Sequence, residues 1–346
     1  MGVFSSGGVG IDLGSANVTI FLENEGVVLR EPSYVLSLRD EPDSVLACGR
    51  DARQMLGRTP REAMLVSPVL DGAVSDIDLA ATLLRTLSEK AIGRRRALDR
   101  TRVVVSMGLG VTRVERTALR EAVKALGARR AALIRSSVAA AVGAGVSISE
   151  PKGVMVVNIG GSTTEVAVIS MDGVVASRTA RTGGMALDEA IIRYIRNEKG
   201  LVIGQRTAED LKIDIGSAKE ADVSQAEDVL LRGRDVRTGK PSTVSVSPRD
   251  VHKAILPPLQ TLLENIREAF ENTPPELAAD ILERGVYLSG GGARLEGLRE
   301  RLGEMLHMPV HMGESPEDEV AAGAGAAAAD ERLAARLARS GCLIEL

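Results

Sequence analysis

A repeat constrains this chain more than any other feature. The segments "VGIDLGSANVTIFL" (9–22) and "VVNIGGSTTEVAVI" (156–169) share one layout: an apolar lead-in, Asp or Asn, an apolar residue, Gly, small residues, then a β-rich run. Asp12 falls on Asn158 and Gly14 on Gly160, a constant offset of 146. A repeat of that size implies two similar α/β domains facing each other, each with its own hairpin. In the second copy, Val154 to Val157 form an apolar run, Gly160-Gly161-Ser162 breaks it, and Thr164 to Val168 alternate polar and apolar before Ile169. Such a turn presents backbone N–H groups to an anion and leaves room for a phosphate. A phosphate site normally also carries a carboxylate for a metal or a water. The first copy has Asp12 there; the second has an amide, Asn158.

Two domains need cores, and 346 residues supply them. Hydrophobic residues make up 44% but aromatics only 2%, with no Trp, so those cores must be aliphatic. The near balance of 43 basic and 47 acidic residues argues against nucleic acid as a partner, which needs a basic surface. Cys48 and Cys342 lie far apart, and three His give no metal-ligand spacing, as fits a reducing cytoplasm. No apolar run approaches a membrane span, and "MGVFSSGGVG" lacks the basic start and apolar core of a signal peptide. Gly2 with Ser6 matches a myristoylation pattern, but the segment reads as a frayed terminus.

Strands and helices alternate along the rest. The strand "TRVVVSM" precedes a helix at 114–127, which puts Ala118, Leu119, Ala122, Val123 and Leu126 on one face and ends at a Gly cap. "VAAAVGAG" (138–145) is a helix of tiny residues suited to close packing against another backbone. Residues 185–200 are amphipathic through Leu187, Ile191, Ile192 and Ile195, and 205–220 open at a cap-like Thr207. Residues 222–248 read as a small β-rich subdomain, followed by a long helix that Pro257-Pro258 should interrupt. The Ala-rich stretch from Glu319 reads as plain helix propensity. Glycine turns at 14, 160 and 290 each follow an apolar strand, which favours one nucleotide held between two lobes. The third, Gly290-Gly291-Gly292, is expected to open a helix whose N–H groups face a phosphate or ribose edge.

Taken together, "GIDLGSANV", "NIGGSTTEVAVIS", "IGQRTAEDLKIDIGSA", "TPPELAADI" and "LSGGGARLEGL" resemble the MreB/Mbl family of bacterial actin-like cell-shape proteins. "LGRTP" (56–60) and "LVSPVLDGAVSD" (65–76) extend the resemblance across nearly the whole chain. It implies an α/β, actin-like, duplicated ribonuclease-H-like fold with two lobes and four subdomains around a nucleotide cleft. Lobe I would span 1–145, with a subdomain inserted at about 32–70. Lobe II would span 146–346, with one inserted at about 182–245. ATP would occupy the cleft, with Mg²⁺ held indirectly through Asp12. Gly14, Ser15, Ala16 and Asn17 would line the first phosphate loop, and Gly160, Gly161, Ser162 and Thr163 would form the second. In the run Glu209, Asp210, Leu211 and Lys212, the first and last would reach the ribose and adenine. Gly290, Gly291, Gly292 and Ala293 would cover the adenosine. The implied partners are further copies of the chain in filaments, the inner face of the cell membrane, wall-elongation membrane proteins and a standard paralogue. A loop with Arg94, Arg95, Arg96, Ala97 and Leu98 stands where the family touches the bilayer.

The departures fall on the reaction centre. The family's Leu-Ile-Glu-Glu-Pro, whose second Glu positions the attacking water, reads "LIRSS" here, with Ser136 for that Glu and Ser137 for the Pro. Asn158 replaces an Asp, and "GGM" puts Met185 where the family has another. Ser136 is too short and too weak a base to replace a carboxylate. With catalytic positions Asp12, Ser136 and Asn158 so impaired, the expectation is a subunit that binds nucleotide and hydrolyses it slowly or not at all. A small-molecule kinase of the same superfamily would need an extra carboxylate base and a larger substrate subdomain. A chaperone-like ATPase would need a separate peptide-binding domain. Neither is read in the chain.

Overall fold

The computed structural model describes every residue except 1–6, 42–43, 94–97, 99–100 and 221–226. Its β-branched runs pair into two large sheets. The first runs Leu343–Glu345, Arg130–Arg135, Arg102–Met107, Val9–Leu13, Asn17–Leu22, Gly26–Pro32. The second runs Gly173–Ala180, Thr164–Ser170, Val154–Ile159, Val286–Ser289, Val310–Met312. Each has the repeated hairpin within it, and the repeat extends to strand register. Asp12 lies opposite Thr19 in the first hairpin, and Asn158 lies opposite Glu165 in the second. The offset of 146 therefore carries one rung onto the other. Leu343–Glu345 pairs with Arg130–Arg135, so the end of the chain returns to the first sheet, although the sequence groups 146–346 together.

Two three-stranded sheets sit apart from these. One has Val35–Leu38 between Val45–Cys48 and Ala63–Val66; the other has Val229–Asp235 between Leu201–Val202 and Pro241–Val246. The cores are aliphatic, as the shortage of aromatics requires. One cluster fills each unit, and a third joins them, drawing Val104 and Ile134 from the first sheet and Val156 and Ala167 from the second.

That junction is built from two helices of small residues. Ser136–Gly143 crosses from the first sheet to the second, and Glu319–Ala329 packs against it. A Cβ on Gly143 would overlap the carbonyl of Glu319, and one on Gly323 would overlap that of Ala139. The two backbones therefore touch directly. The tiny residues of the first helix behave as its sequence suggests. Those of the second do more than favour helix, because their size is what lets it seat. The helix Pro248–Glu271 also differs from expectation, for it runs through Pro257-Pro258 without a break. Val251, Ile255, Leu259, Leu262 and Ile266 on either side of the prolines are buried in one core, and that packing outweighs the lost backbone bonds.

Candidate functional site

Each hairpin closes its turn on itself: the Gly14 N–H donates to Asn17 O at 3.1 Å, and the Gly160 N–H to Thr163 O at 2.8 Å. The turns then meet across the junction, where the Ser162 N–H and Oγ donate to Ser15 Oγ at 3.2 and 2.7 Å. Beside this contact opens a cavity of about 440 Å³. The residues singled out in both hairpins line it, apart from Ser162, together with Ser136, Glu209, Lys212 and Gly290–Gly292.

Four sequence candidates lie elsewhere. Ser162 is spent on Ser15. Leu211 is buried in the core of the second unit, and Asp210 is exposed to solvent. A helix turns about 100° per residue, so a contiguous run of four cannot face one way. Ala293 is buried in the same core beneath its turn. Gly290 has φ +85°, and a Cβ there would overlap Ile159 O, so only glycine fits this crossing. The turn does not open an α-helix: Gly291–Arg294 is a single 3-10 turn, and the helix begins at Leu298. Of the membrane candidates, Arg94, Arg95, Arg96 and Ala97 lie outside the described residues, as do Gly2 and Ser6. Leu98 is 5% exposed within the first core, so it has no side chain to offer a bilayer.

The cavity wall is acidic as well as glycine-rich. Asp12 accepts from Ser106 Oγ at 2.6 Å. Burial pushes its carboxyl up to about 6, with that hydrogen bond opposing. Asp188 is buried beside Lys212, which ion-pairs with it at 2.7 Å and donates to Gly184 O at 3.0 Å. Burial raises the Asp188 carboxyl, and the Lys212 charge opposes. Glu209 ion-pairs with Arg53 of the helix Arg50–Arg53, bridging the two units at the cavity.

Two buried cavity acids were missed by the sequence reading, Asp188 and Glu165. Glu165 is 4% exposed and lines the cavity. It accepts from Ser136 Oγ, from Ser137 Oγ at 3.2 Å and from the Leu109 N–H at 2.8 Å. Burial raises its carboxyl; these donors oppose, while the charge of Asp12 adds to the rise. The available signal was the repeat: at Glu165 the first copy has Thr19, so an acid has replaced a hydroxyl on a duplicated rung.

Chemically, the site offers glycine backbone, one lysine and acids on opposite walls, a set suited to a polyanion with its cation. The family model for "MreB/Mbl protein" matches residues 6–336. The cell shape-determining protein MreB of Escherichia coli is 43% identical over 329 residues, covering 94% of each chain. The cell shape-determining protein Mbl of Bacillus subtilis is 39% identical over 317 residues, covering 92% of this chain and 94% of the other. Among solved structures, MreB 5 of Spiroplasma citri bound to AMPPNP superposes with a TM-score of 0.87 at 31% identity, over 96% of this chain and 98% of that one.

Proposed function

The chain belongs to the MreB/Mbl family and has its actin-like fold, and from that premise we propose a cytoskeletal filament subunit that binds ATP between its two units. Its place is the inner face of the cell membrane, where filaments of this chain help set cell shape by guiding wall synthesis. The observation that carries the nucleotide reading is the convergence of both duplicated hairpins, the Gly290 turn and the Glu209–Lys212 pair on one 440 Å³ cavity. That volume lies within the range of small-molecule sites. The hairpin backbones would approach the phosphates, with Glu209 and Lys212 toward the nucleoside. Lys212 already lies in the wall, held by Asp188.

Mg²⁺ fits as a guest of the nucleotide. Among the described residues no group of three or more His, Cys, Asp or Glu is arranged to hold a metal. Asp12 is the one carboxylate that the first hairpin brings to the cavity, and a magnesium site made of one carboxylate, phosphate oxygens and water asks no more. Hydrolysis is slow, because Ser136, Asn158 and Met185 stand where the family pattern has acids.

Binding is tested by thermal unfolding. A ligand that binds only the native state raises the midpoint, and ATP should do so here. Glu209→Ala with Lys212→Ala should abolish the rise, and an unmodified chain with no rise would sink the reading. Assembly is tested by electron microscopy with ATP on anionic vesicles. If Arg94→Ser, Arg95→Ser and Arg96→Ser together leave vesicle pelleting unchanged, that basic run is not the membrane contact.

A further inference from the structure

We propose that Ser136 and Glu165 form a proton relay that does the work of the replaced carboxylate, giving the cleft its own slow route for hydrolysing a nucleoside triphosphate. The inference rests on the ATP reading above. Ser136 begins the crossover helix Ser136–Gly143, is 7% exposed and lines the cavity. Its Oγ donates to Glu165 Oε2. A hydroxyl has a single hydrogen, so with that hydrogen committed the Ser136 oxygen turns only lone pairs to the cavity. A water beside it must donate, which leaves the water's own lone pair free for attack. Glu165 is in turn held in place: Oε1 accepts from the Leu109 N–H at 2.8 Å, and Oε2 also accepts from Ser137 Oγ at 3.2 Å. Nucleophile, base and orienting donors thus form one connected set.

A structural role alone accounts poorly for Glu165. No ion pair to it is present among the described residues, and no cation is among the groups that shift its carboxyl, so the protein has buried a carboxylate without a compensating charge, at a cost in folding free energy. The first hairpin fills the same rung with Thr19. Burial also raises the carboxyl, bringing its basicity nearer that of an effective proton acceptor.

The water oxygen bonds to the terminal phosphorus, and the bond from that phosphorus to the bridging oxygen breaks, its electron pair leaving on the diphosphate. The water's proton passes to Ser136 Oγ as the Ser136 hydrogen passes to Glu165 Oε2. The protonated Glu165 then returns its proton through Ser136 to the departing phosphate or to solvent.

The test measures single-turnover phosphate release and ATP affinity for the full chain. Ser136→Ala should lower release ~10²-fold, the low end for a lost proton acceptor. Ser136→Thr, which keeps the hydroxyl, should stay within a few-fold of the parent. Glu165→Gln should fall as far as Ser136→Ala, and the double variant no further, because the two act as one unit. ATP affinity should stay the same throughout. Release by Ser136→Ala at the parent's rate, or a double loss equal to the product of the single ones, overturns the relay. So does a parent that binds ATP and releases no phosphate. A parent that does not bind ATP overturns the ATP reading and the relay with it. Should Glu165→Gln fail to fold, the alanine and threonine variants of Ser136 decide alone.

Discussion

In the first hairpin the acid stands on the leading strand and a hydroxyl faces it from the return strand, Asp12 opposite Thr19. In the second an amide leads and the acid returns, Asn158 opposite Glu165. Directly opposed residues of an antiparallel pair lie about 5 Å apart, so the negative charge has moved by one strand spacing. Each acid is met by a serine hydroxyl from a neighbouring element, Ser106 for Asp12 and Ser136 for Glu165. They differ in what is left over. Asp12 keeps an open side toward the cavity, while both oxygens of Glu165 are already taken by protein donors. Duplication holds register tightly, because a slip of one residue would turn every buried side chain outward. It holds the chemistry of a single rung loosely. On the roles proposed above, one backbone would thus present a cation ligand on one side and a proton acceptor on the other.

The largest effect should come from giving the second hairpin and the crossover helix back one family acid each. Asn158→Asp with Ser136→Glu should raise phosphate release by ~10²–10⁴, the usual worth of a positioned base. If the parent already matches the double variant, the difference between the hairpins has no catalytic meaning. Next, Glu165→Thr makes the second rung resemble the first and strands the donors Ser136, Ser137 and Leu109. Stability should drop by roughly 1–3 kcal/mol, the cost of leaving buried donors unmet, read from the urea midpoint. Removing the buried carboxylate relieves its desolvation cost, so an unmoved midpoint would mean that the three donor bonds are worth no more than that cost.

The reverse change, Asp12→Asn, makes the first rung resemble the second. A carboxyl raised from 3.8 to about 6 binds its proton more tightly when folded, so folding stability is lost as pH climbs through that window. The amide escapes the loss. The variant without nucleotide should therefore melt higher than the parent at pH 7.5 and show no such gain at pH 3.5. The gain should fall short of the ~3 kcal/mol implied by the shift, since water in the cavity reaches this carboxylate. The same variant should lose the Mg²⁺ dependence of its ATP stabilisation. Smallest is Arg53→Ala, outside both hairpins. Its pair with Glu209 is one-third exposed on each side, so removal should cost under about 1 kcal/mol in thermal unfolding. A larger loss would place part of the site's stability outside the duplicated rungs.

Much of this molecule was legible in the chain. The offset between Asp12 and Asn158 gave away both hairpins, and the lack of aromatics required aliphatic cores. What stayed hidden depends on contacts between distant residues. Glu165 sits in a run that reads as an alternating strand, and its burial comes from Ser136, Ser137 and Leu109, at least 28 residues away. Periodicity carries no trace of that. Leu211 went wrong because a motif is linear while a helix face is not. The Ala and Gly of Glu319–Ala329 announce a helix, but not the carbonyl of Ala139 that needs Gly323 opposite it. Leu98 fails similarly: it stands two residues from an arginine on either side in sequence, and its neighbours in space are the core.

The crossing of Ser136–Gly143 with Glu319–Ala329 also has a mechanical meaning. With no side chains between the backbones, no cushion exists to absorb a change in angle, so the contact acts as a fulcrum. The lever arm from the nearer contact, at Ala139, to Ser136 spans three residues, about 4.5 Å at 1.5 Å per residue. A turn of roughly 13° about the fulcrum then swings Ser136 by ~1 Å, a misplacement that can cost ~10² in rate. Bending imposed on a filament, by a curved surface or by a neighbouring subunit, would reach the attacking water through this arm. On the proposed function, the tilt between the units would then act as a throttle on nucleotide turnover.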